Sequence, residues 1–112
     1  MDISFEQLSD GTKLVKLAGR LDMMGAQSID LKFTSGVATA DAGVVVDLSG
    51  VSFLASLGIR TLISPAKALK ARGGRMVLLN PQPLVVEVLK VSGLLGILPV
   101  YTELSEAVAA LG

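Results

Sequence analysis

One serine lies where its hydroxyl group could do chemistry. It is Ser56, and it interrupts an apolar stretch formed by Leu54, Ala55 and Leu57, where a strand-like run gives way to a helix-like pattern. A serine there can cap the helix, because its hydroxyl can accept a bond from the N–H of Gly58 or of the next residue. The same N–H groups, at the positive end of the helix dipole, could instead bind a phosphate carried by the serine. The pattern alone favours the cap.

A phosphate on Ser56 would act on whatever binds the surrounding surface. It would add about −1.5 to −2 charges, and Arg60, one helical turn further on, could pair with it. The apolar side chains nearby predict either ordinary packing or an adaptable contact surface for a partner; they are Met23, Met24, Leu54 and Leu57. A charged group among them would oppose docking, so the functional interpretation is a phosphorylation switch.

Two residue types are missing from the sequence, and their absence excludes most catalytic and metal sites. The 112 residues include no cysteine and no histidine. This removes disulfides, thiolate and Ser-His nucleophiles and the commonest transition-metal ligand. The length suits one domain, and with 51% hydrophobic but only 4% aromatic residues its core must be aliphatic. We therefore predict a binding protein that is not an enzyme, with no catalytic residue, metal or cofactor.

Net charge and hydropathy restrict the partners and the location. Lys and Arg together number 10, as do Asp and Glu, so the formal net charge is zero; this argues against nucleic acid as the main partner. No apolar run has the length of a membrane-spanning helix. The chain also starts with acidic residues where a signal peptide would be basic. We expect a soluble, cytoplasmic protein that does not act at a membrane.

The charges are unevenly distributed along the chain. Every charged residue between Asp47 and Glu87 is basic, namely Arg60, Lys67, Lys70, Arg72 and Arg75. Such a run is typical of a solvated helix face, which is the interpretation we prefer. The sharper alternative is a local site for an acidic group or partner.

Apolar periodicity and turn residues predict the elements that position Ser56. The expected order is β-β-α-β-α-β-α-β-α. The first elements are a hairpin around the turn at 9–12, a helix from Met23 capped by Asp22 and a buried strand at 44–48. A helix to residue 71, ended by Gly73 and Gly74, and a strand at 75–79 follow. The last elements are a helix at 84–92, a strand at 97–101 and a helix capped by Thr102 with Leu104 on its apolar face. Asp47 is expected near the exposed end of its strand, and Pro65 is expected to kink the second helix.

These elements predict an α/β layer structure with about four helices. A buried strand, a helix and a second buried strand form a right-handed crossover unit with parallel strands. The sheet is therefore mixed, with the N-terminal hairpin at its edge. Functional groups in such folds gather beyond the carboxyl ends of the strands, which is where both Ser56 and Asp22 fall.

Several short motifs occur in a fixed order along essentially the whole chain. They are Gly-Arg-Leu-Asp at 19–22, the strand and its exit at 45–53, Ser-Leu-Gly-Ile at 56–59, the glycine pair at 73–74, Val-Ser-Gly-Leu at 91–94 and Ser-Glu-Ala at 105–107. In order and spacing they resemble the STAS domain, and within that family the anti-sigma factor antagonists of bacterial partner-switching systems. Residues 1–112 are accordingly predicted to be one STAS domain.

The resemblance implies a partner and a switch. Family members bind an anti-sigma factor that is also a Ser/Thr protein kinase; the kinase phosphorylates a serine at the start of the second helix, which abolishes binding, and a PPM-type serine phosphatase restores it. That serine matches Ser56, and the family glycine matches Gly58. Ala55 stands where the family often has Asp, and Leu57 replaces a second hydroxyl residue. The predicted partner-binding residues are Asp22, Met23, Met24, Leu54, Ala55, Leu57, Gly58 and Arg60.

Two other functions remain open. The chain could be a STAS adaptor subunit of another assembly, such as a transporter, without a phosphorylation switch; the intact serine at position 56 favours the switch. A weak nucleotide-binding or nucleotide-hydrolysing domain ranks last, because no Gly-x-x-x-x-Gly-Lys-Ser/Thr loop is present.

Overall fold

Parallel and antiparallel strands share one sheet. The computed structural model describes residues 1–8, 11–40 and 43–111; within them the strands are β1 (Asp2–Gln7), β2 (Lys13–Leu21), β3 (Gly43–Leu54), β4 (Arg75–Leu79) and β5 (Val100–Tyr101). They lie side by side in chain order. β1 pairs antiparallel with β2, whereas the pairs β2–β3, β3–β4 and β4–β5 are parallel. The predicted mixed sheet with the hairpin at its edge is confirmed.

The helices divide unequally between the two faces of the sheet. The described residues form α1 (Met23–Ala38), α2 (Ser56–Ala71), α3 (Pro83–Val91) and α4 (Leu104–Leu111), with a 3-10 turn at Leu94–Gly96. Each of α1, α2 and α3 connects two neighbouring parallel strands, and right-handed crossovers place all three on one face. α4 follows β5 and packs on the other face. The element order matches the prediction.

Aliphatic side chains fill the space on each face of the sheet. On the three-helix face, α1 buries Ile29, Phe33 and Val37 at the predicted spacing of four residues. These pack with the inward side chains of the strands and with apolar residues of α2 and α3. On the other face, Ala107 of α4 packs on a smaller cluster whose buried members are Leu14, Val45, Val77 and Leu79.

Glycines end α2 where they were predicted to. Gly73 has a φ of +89°, a left-handed conformation that suits glycine. Its N–H donates to the Lys70 carbonyl (3.0 Å), and the Gly74 N–H donates to the Leu69 carbonyl (2.9 Å). This pair of bonds is a Schellman motif. The helix runs from Ser56 to Ala71 with Pro65 buried inside it.

β3 is longer than predicted, so the expectation that Asp47 lies near its exposed end was wrong. The strand continues to Leu54, which leaves Asp47 in mid-strand, between Lys16 on β2 and Leu79 on β4. Two register shifts along the β2–β3 pair admit extra residues into β3, as β-bulges do. The polar, glycine-containing stretch after residue 48 resembles a loop in sequence and is nevertheless paired strand.

Two further expectations near the C-terminus need correction. β5 spans two residues rather than 97–101, because the Ile97 and Leu98 N–H groups bond to the Leu94 carbonyl and belong to the preceding turn. The Ala107 N–H bonds to the Glu103 carbonyl, so Glu103, not Thr102, precedes α4. Leu104 is 37% exposed rather than packed. Of the predicted hairpin turn, Ser9 and Asp10 lie outside the described residues.

Candidate functional site

Ser56 lies at the carboxyl edge of the sheet because β2 and β3 end side by side. Leu21, the last residue of β2, is opposite Leu54, the last residue of β3. The Ala55 N–H donates to the Leu21 carbonyl at 3.0 Å and joins the two strand ends. α2 starts at the following residue, so the side chain of Ser56 is the first of the helix, and it is exposed.

The capping bond predicted for Ser56 is not formed. Ala55 occupies the N-cap position, and no side chain of the described residues caps α2. The first paired N–H of the helix is that of Ile59, which donates to the Ala55 carbonyl at 3.0 Å. The N–H groups of the first three helical residues therefore have no partner within the helix. This end of α2 can accept a negative charge.

Asp22 is the cap of the neighbouring helix. Its Oδ1 accepts a hydrogen bond from the Gly25 N–H at 2.8 Å, and its Oδ2 accepts one from Arg20 Nε at 3.4 Å. The bond from Gly25, with a smaller contribution from the Arg20 guanidinium, holds the pKa of Asp22 below its ordinary value. Asp22 is therefore an ionised carboxylate at the same sheet edge as Ser56, and its predicted capping role is confirmed.

Arg20 is held in place by an aromatic ring as well as by Asp22. Its guanidinium carbon lies 4.5 Å from the centre of the Phe53 ring, a cation–π distance. Arg20 and Phe53 are register partners on β2 and β3, one residue before the strand ends. The sequence reasoning missed this pair, because the pairing of Arg20 with Phe53 is visible only once the register of the two strands is known.

Apolar side chains are exposed at the start of α1 and partly exposed at the start of α2, the helix that begins with Ser56. Met23 is 61% exposed and Met24 77%, although both lie in the first turn of α1. Leu57 is half-buried and Arg60 is exposed. Within the described part of the chain, Arg60 forms no ion pair. The structure thus leaves four of the predicted partner-binding side chains accessible.

A groove between α1 and α2 extends this surface. Its volume is about 480 Å³, and Leu57 and Arg60 form part of its wall. The remaining lining residues, which the sequence reasoning did not single out, are Ala26, Gln27, Asp30, Thr34, Thr61 and Ser64. Their spacing of three or four residues on each helix is the signal that could have indicated a shared face.

Two of the predicted partner-binding residues are not on the surface. Leu54 is 3% exposed and belongs to the core. Gly58 is buried, and a Cβ there would lie 2.5 Å from the Leu21 carbonyl oxygen and 2.7 Å from Leu21 Cγ. The glycine allows α2 to start close to the end of β2. Ala55 is partly exposed.

Two other kinds of site are absent from the described ranges. No group of three or more acidic side chains there is arranged to hold a metal ion. Likewise, no helix in residues 1–8, 11–40 and 43–111 has both the length and the apolar composition needed to cross a bilayer.

Comparison with known sequences gives consistent relatives. The STAS domain family model matches residues 6–107. BtrV of Bordetella bronchiseptica, described as a candidate anti-sigma factor antagonist, is 32% identical over 101 residues, which cover 90% of this chain and 87% of that protein. The anti-sigma F factor antagonist of Lysinibacillus sphaericus is 30% identical over 95 residues, covering 84% of this chain and 81% of that protein.

Comparison with solved structures gives the same result. The anti-sigma factor antagonist SpoIIAA in its unphosphorylated form superposes with a TM-score of 0.77 at 29% identity, covering 96% of this chain and 93% of that one. The phosphorylated form of the Bacillus cell fate determinant SpoIIAA superposes with a TM-score of 0.72 at 27% identity, covering 99% and 100%.

Proposed function

The chain belongs to the STAS domain family, and on that premise we propose that it is an anti-sigma factor antagonist controlled by phosphorylation of Ser56. In this proposal the unphosphorylated protein binds an anti-sigma factor that is also a Ser/Thr kinase, and the phosphorylated protein does not. The relatives named as anti-sigma factor antagonists support the general role, and a relative solved in both phosphorylation states supports the switch.

The position of Ser56 is the observation that carries the proposal. Its hydroxyl is exposed on the first residue of α2 and is not used as a cap. A kinase can therefore reach the oxygen without unfolding the helix. The serine Oγ would form a bond to the γ-phosphorus of ATP, the bond from that phosphorus to ADP would break, and the hydroxyl proton would pass to a base of the kinase.

The fold can accept the phosphate at little cost. The unpaired N–H groups at the start of α2 and the positive end of its dipole favour a negative group there. Arg60, one turn further along the helix, has no ion-pair partner in the described ranges and can pair with the phosphate. We therefore expect the phosphate to change partner binding rather than the stability of the fold.

In this proposal the phosphate acts by opposing the docking of the partner. Leu57 follows the serine, and Met23 and Met24 are exposed at the start of α1, at the same edge of the sheet. An interface that covers this edge would remove water from a phosphate on Ser56. Burying a doubly charged group is costly, and the single charge of Arg60 balances only part of it. The ionised Asp22 at the same edge already accepts bonds from Gly25 and Arg20, and cations or hydrogen-bond donors of the partner beside it would favour docking.

The proposed partners follow from the same residues. The kinase must recognise Ser56 without a carboxylate at position 55, and Asp22 is the carboxylate available for orienting it. A PPM-type serine phosphatase would reverse the modification. The chain itself contributes the acceptor hydroxyl and the docking surface, while the kinase and the phosphatase are separate proteins. Because the kinase uses ATP, the proposed place of action is the cytoplasm.

Intact-mass spectrometry after incubation with the cognate kinase and Mg-ATP tests the switch. We expect wild type to gain one phosphate and Ser56→Ala to gain none, because Ser56 supplies the acceptor oxygen.

Ser52→Ala is the matched control, since Ser52 is the nearest hydroxyl residue before Ser56, is exposed and bonds only weakly to the Gly19 carbonyl (3.4 Å). This variant should take up phosphate as wild type does. Equal uptake by wild type and Ser56→Ala would sink the proposal, and no uptake by either would favour an adaptor role without a switch.

A further inference from the structure

A second cavity lies at the opposite end of α2 from Ser56. Its volume is about 430 Å³, within the range of small-molecule sites. It is formed where α2 ends, β4 begins and the chain approaches β5. Lys70 lies 14 residues after Ser56, which is about 21 Å along a helix axis, so this cavity is separate from the proposed switch.

Every ionisable side chain that lines the cavity is a cation. These are Lys67 and Lys70 of α2 and Arg75 of β4. None of the three forms an ion pair or side-chain hydrogen bond within the described residues. An anion in the cavity would therefore meet three cations that have no partner among the described residues.

The other basic residues of the same stretch have different positions. Arg72 donates to the Ala38 carbonyl at 2.6 Å and to the Val37 carbonyl at 3.2 Å, so it joins the C-terminal ends of α1 and α2. Arg60 faces the groove near Ser56. All five basic residues of the run are exposed, as expected of a solvated face, and those without a structural or switch role are the ones that line this cavity.

One wall of the cavity is apolar. It is formed by Ala66, Met76, Ile97, Leu98 and Pro99. Ile97 is 52% exposed, so its side chain offers apolar surface to a ligand in the cavity. The backbone N–H groups of Gly73, Gly74 and Ile97 already bond within the chain. Recognition in this cavity must therefore come from the cationic side chains and the apolar wall.

We propose that this cavity binds a small organic phosphate, a phosphomonoester whose phosphate contacts Lys67, Lys70 and Arg75 and whose apolar group lies on Ile97. A phosphomonoester carries about −1.5 to −2 charges near pH 7, which matches three cations better than a single carboxylate does. The apolar wall distinguishes an ester with an apolar group from inorganic phosphate. The proposal does not depend on Ser56 or on the proposed switch.

NMR titration of the full chain labelled with 15N tests this with phenyl phosphate and inorganic phosphate as probes. We expect phenyl phosphate to shift the amide signals of Gly73, Gly74 and Gly96 in a saturable way and to bind at least about tenfold tighter than inorganic phosphate, because its ring covers apolar surface. The amide of Leu57, at the other end of α2, should not shift.

Variants separate the cationic and the apolar contributions. Lys67→Gln/Lys70→Gln should weaken both probes about tenfold, because charge-assisted hydrogen bonds are lost. Ile97→Ser should weaken phenyl phosphate alone. Lys16→Gln, which removes an exposed lysine of β2, is the matched control and should bind both probes as wild type does; thermal unfolding verifies that each variant is folded.

Three results would overturn the proposal. One is no saturable binding of phenyl phosphate to wild type. Another is equal binding of the two probes, because the site would then sense charge alone. The third is a loss in Lys16→Gln as large as in the double lysine variant, because binding would then reflect overall charge.

Discussion

Ser56 and Asp22 occupy neighbouring positions on adjacent strand ends, yet their helices start differently. The Asp22 carboxylate accepts a hydrogen bond from the Gly25 N–H in the first turn of α1. Ala55 has no polar side-chain atom with which to do the same for α2. A phosphate on Ser56 therefore meets unoccupied N–H groups on its own helix, while a phosphate at the start of α1 would compete with an existing carboxylate.

Ser56→Asp should separate the partner interface from the fold. We expect the variant to bind the kinase at least about tenfold more weakly than wild type, because a charge is placed among Met23, Met24 and Leu57. Its thermal stability should be equal to or slightly above that of wild type, because a carboxylate in the first turn of a helix is favourable. Calorimetric titration and thermal unfolding measure the two effects.

Ser56→Asn is the neutral control of similar size. It should retain most of the affinity, since it adds bulk but no charge. If Ser56→Asn and Ser56→Asp lose affinity equally, shape rather than charge controls docking, and the electrostatic explanation of the switch fails.

Asp22 predicts a pH dependence of stability on the acid side. Its pKa in the folded protein lies below the ordinary 3.8, so folding favours the ionised form. Its contribution to stability is therefore complete above about pH 3.8 and is lost as the pH falls through the folded pKa. Asp22→Asn keeps a capping oxygen, so it should unfold at nearly the wild-type temperature at pH 7 and lose less stability than wild type on acidification to pH 3.

Asp2→Asn removes a carboxylate from the exposed strand β1 and is the matched control. Its acid-side loss should follow wild type more closely than that of Asp22→Asn. Thermal unfolding of the three proteins from pH 7 to pH 2 would contradict this explanation if both variants changed the acid-side slope alike.

At the scale of elements, the contact between the start of α2 and the end of β2 depends on Gly58. A Cβ at this position would meet the backbone and side chain of Leu21 at 2.5 and 2.7 Å. We expect Gly58→Ala to lower the free energy of unfolding by about 2 kcal/mol, because overpacking outweighs the better helix propensity of alanine. Urea denaturation measures the change.

Gly96→Ala is the control for this substitution, because a Cβ there has no heavy atom within 4 Å. Its stability should stay within about 0.5 kcal/mol of wild type. A Gly58→Ala protein as stable as wild type would show that α2 can move away from β2, and that the position of Ser56 is less fixed than the structure indicates.

Elements with regular periodicity could be predicted from the sequence, and those held by pairing could not. The helix from Met23 and the glycine end of α2 follow from caps and spacing near in sequence. The second half of β3 does not, because Ser49, Gly50 and Ser52 are poor strand residues alone. They remain in a strand because β2 provides hydrogen-bond partners across two bulges, which only the folded sheet supplies.

At the scale of the whole molecule, the same distinction applies to the candidate site. The serine at a strand end and the carboxylate one strand away could be located from the element order. The burial of Leu54 could not be predicted from the element order, because it depends on the residues that pack against it in the core. The groove beside Leu57 and the cationic cavity beside Lys70 likewise require α1 and β5 to be placed against α2.

The bond between the Ala55 N–H and the Leu21 carbonyl bears on how quickly the proposed switch would respond to a change in kinase or phosphatase activity. It anchors the start of α2 to the central sheet, so under the proposed switch we expect phosphorylation of Ser56 to leave the backbone conformation unchanged. A protein with one conformation has no slow step of its own between states and shows no hysteresis. The fold would then keep no memory of earlier phosphorylation. The phosphorylated fraction at any moment would depend only on the activities of the kinase and the phosphatase.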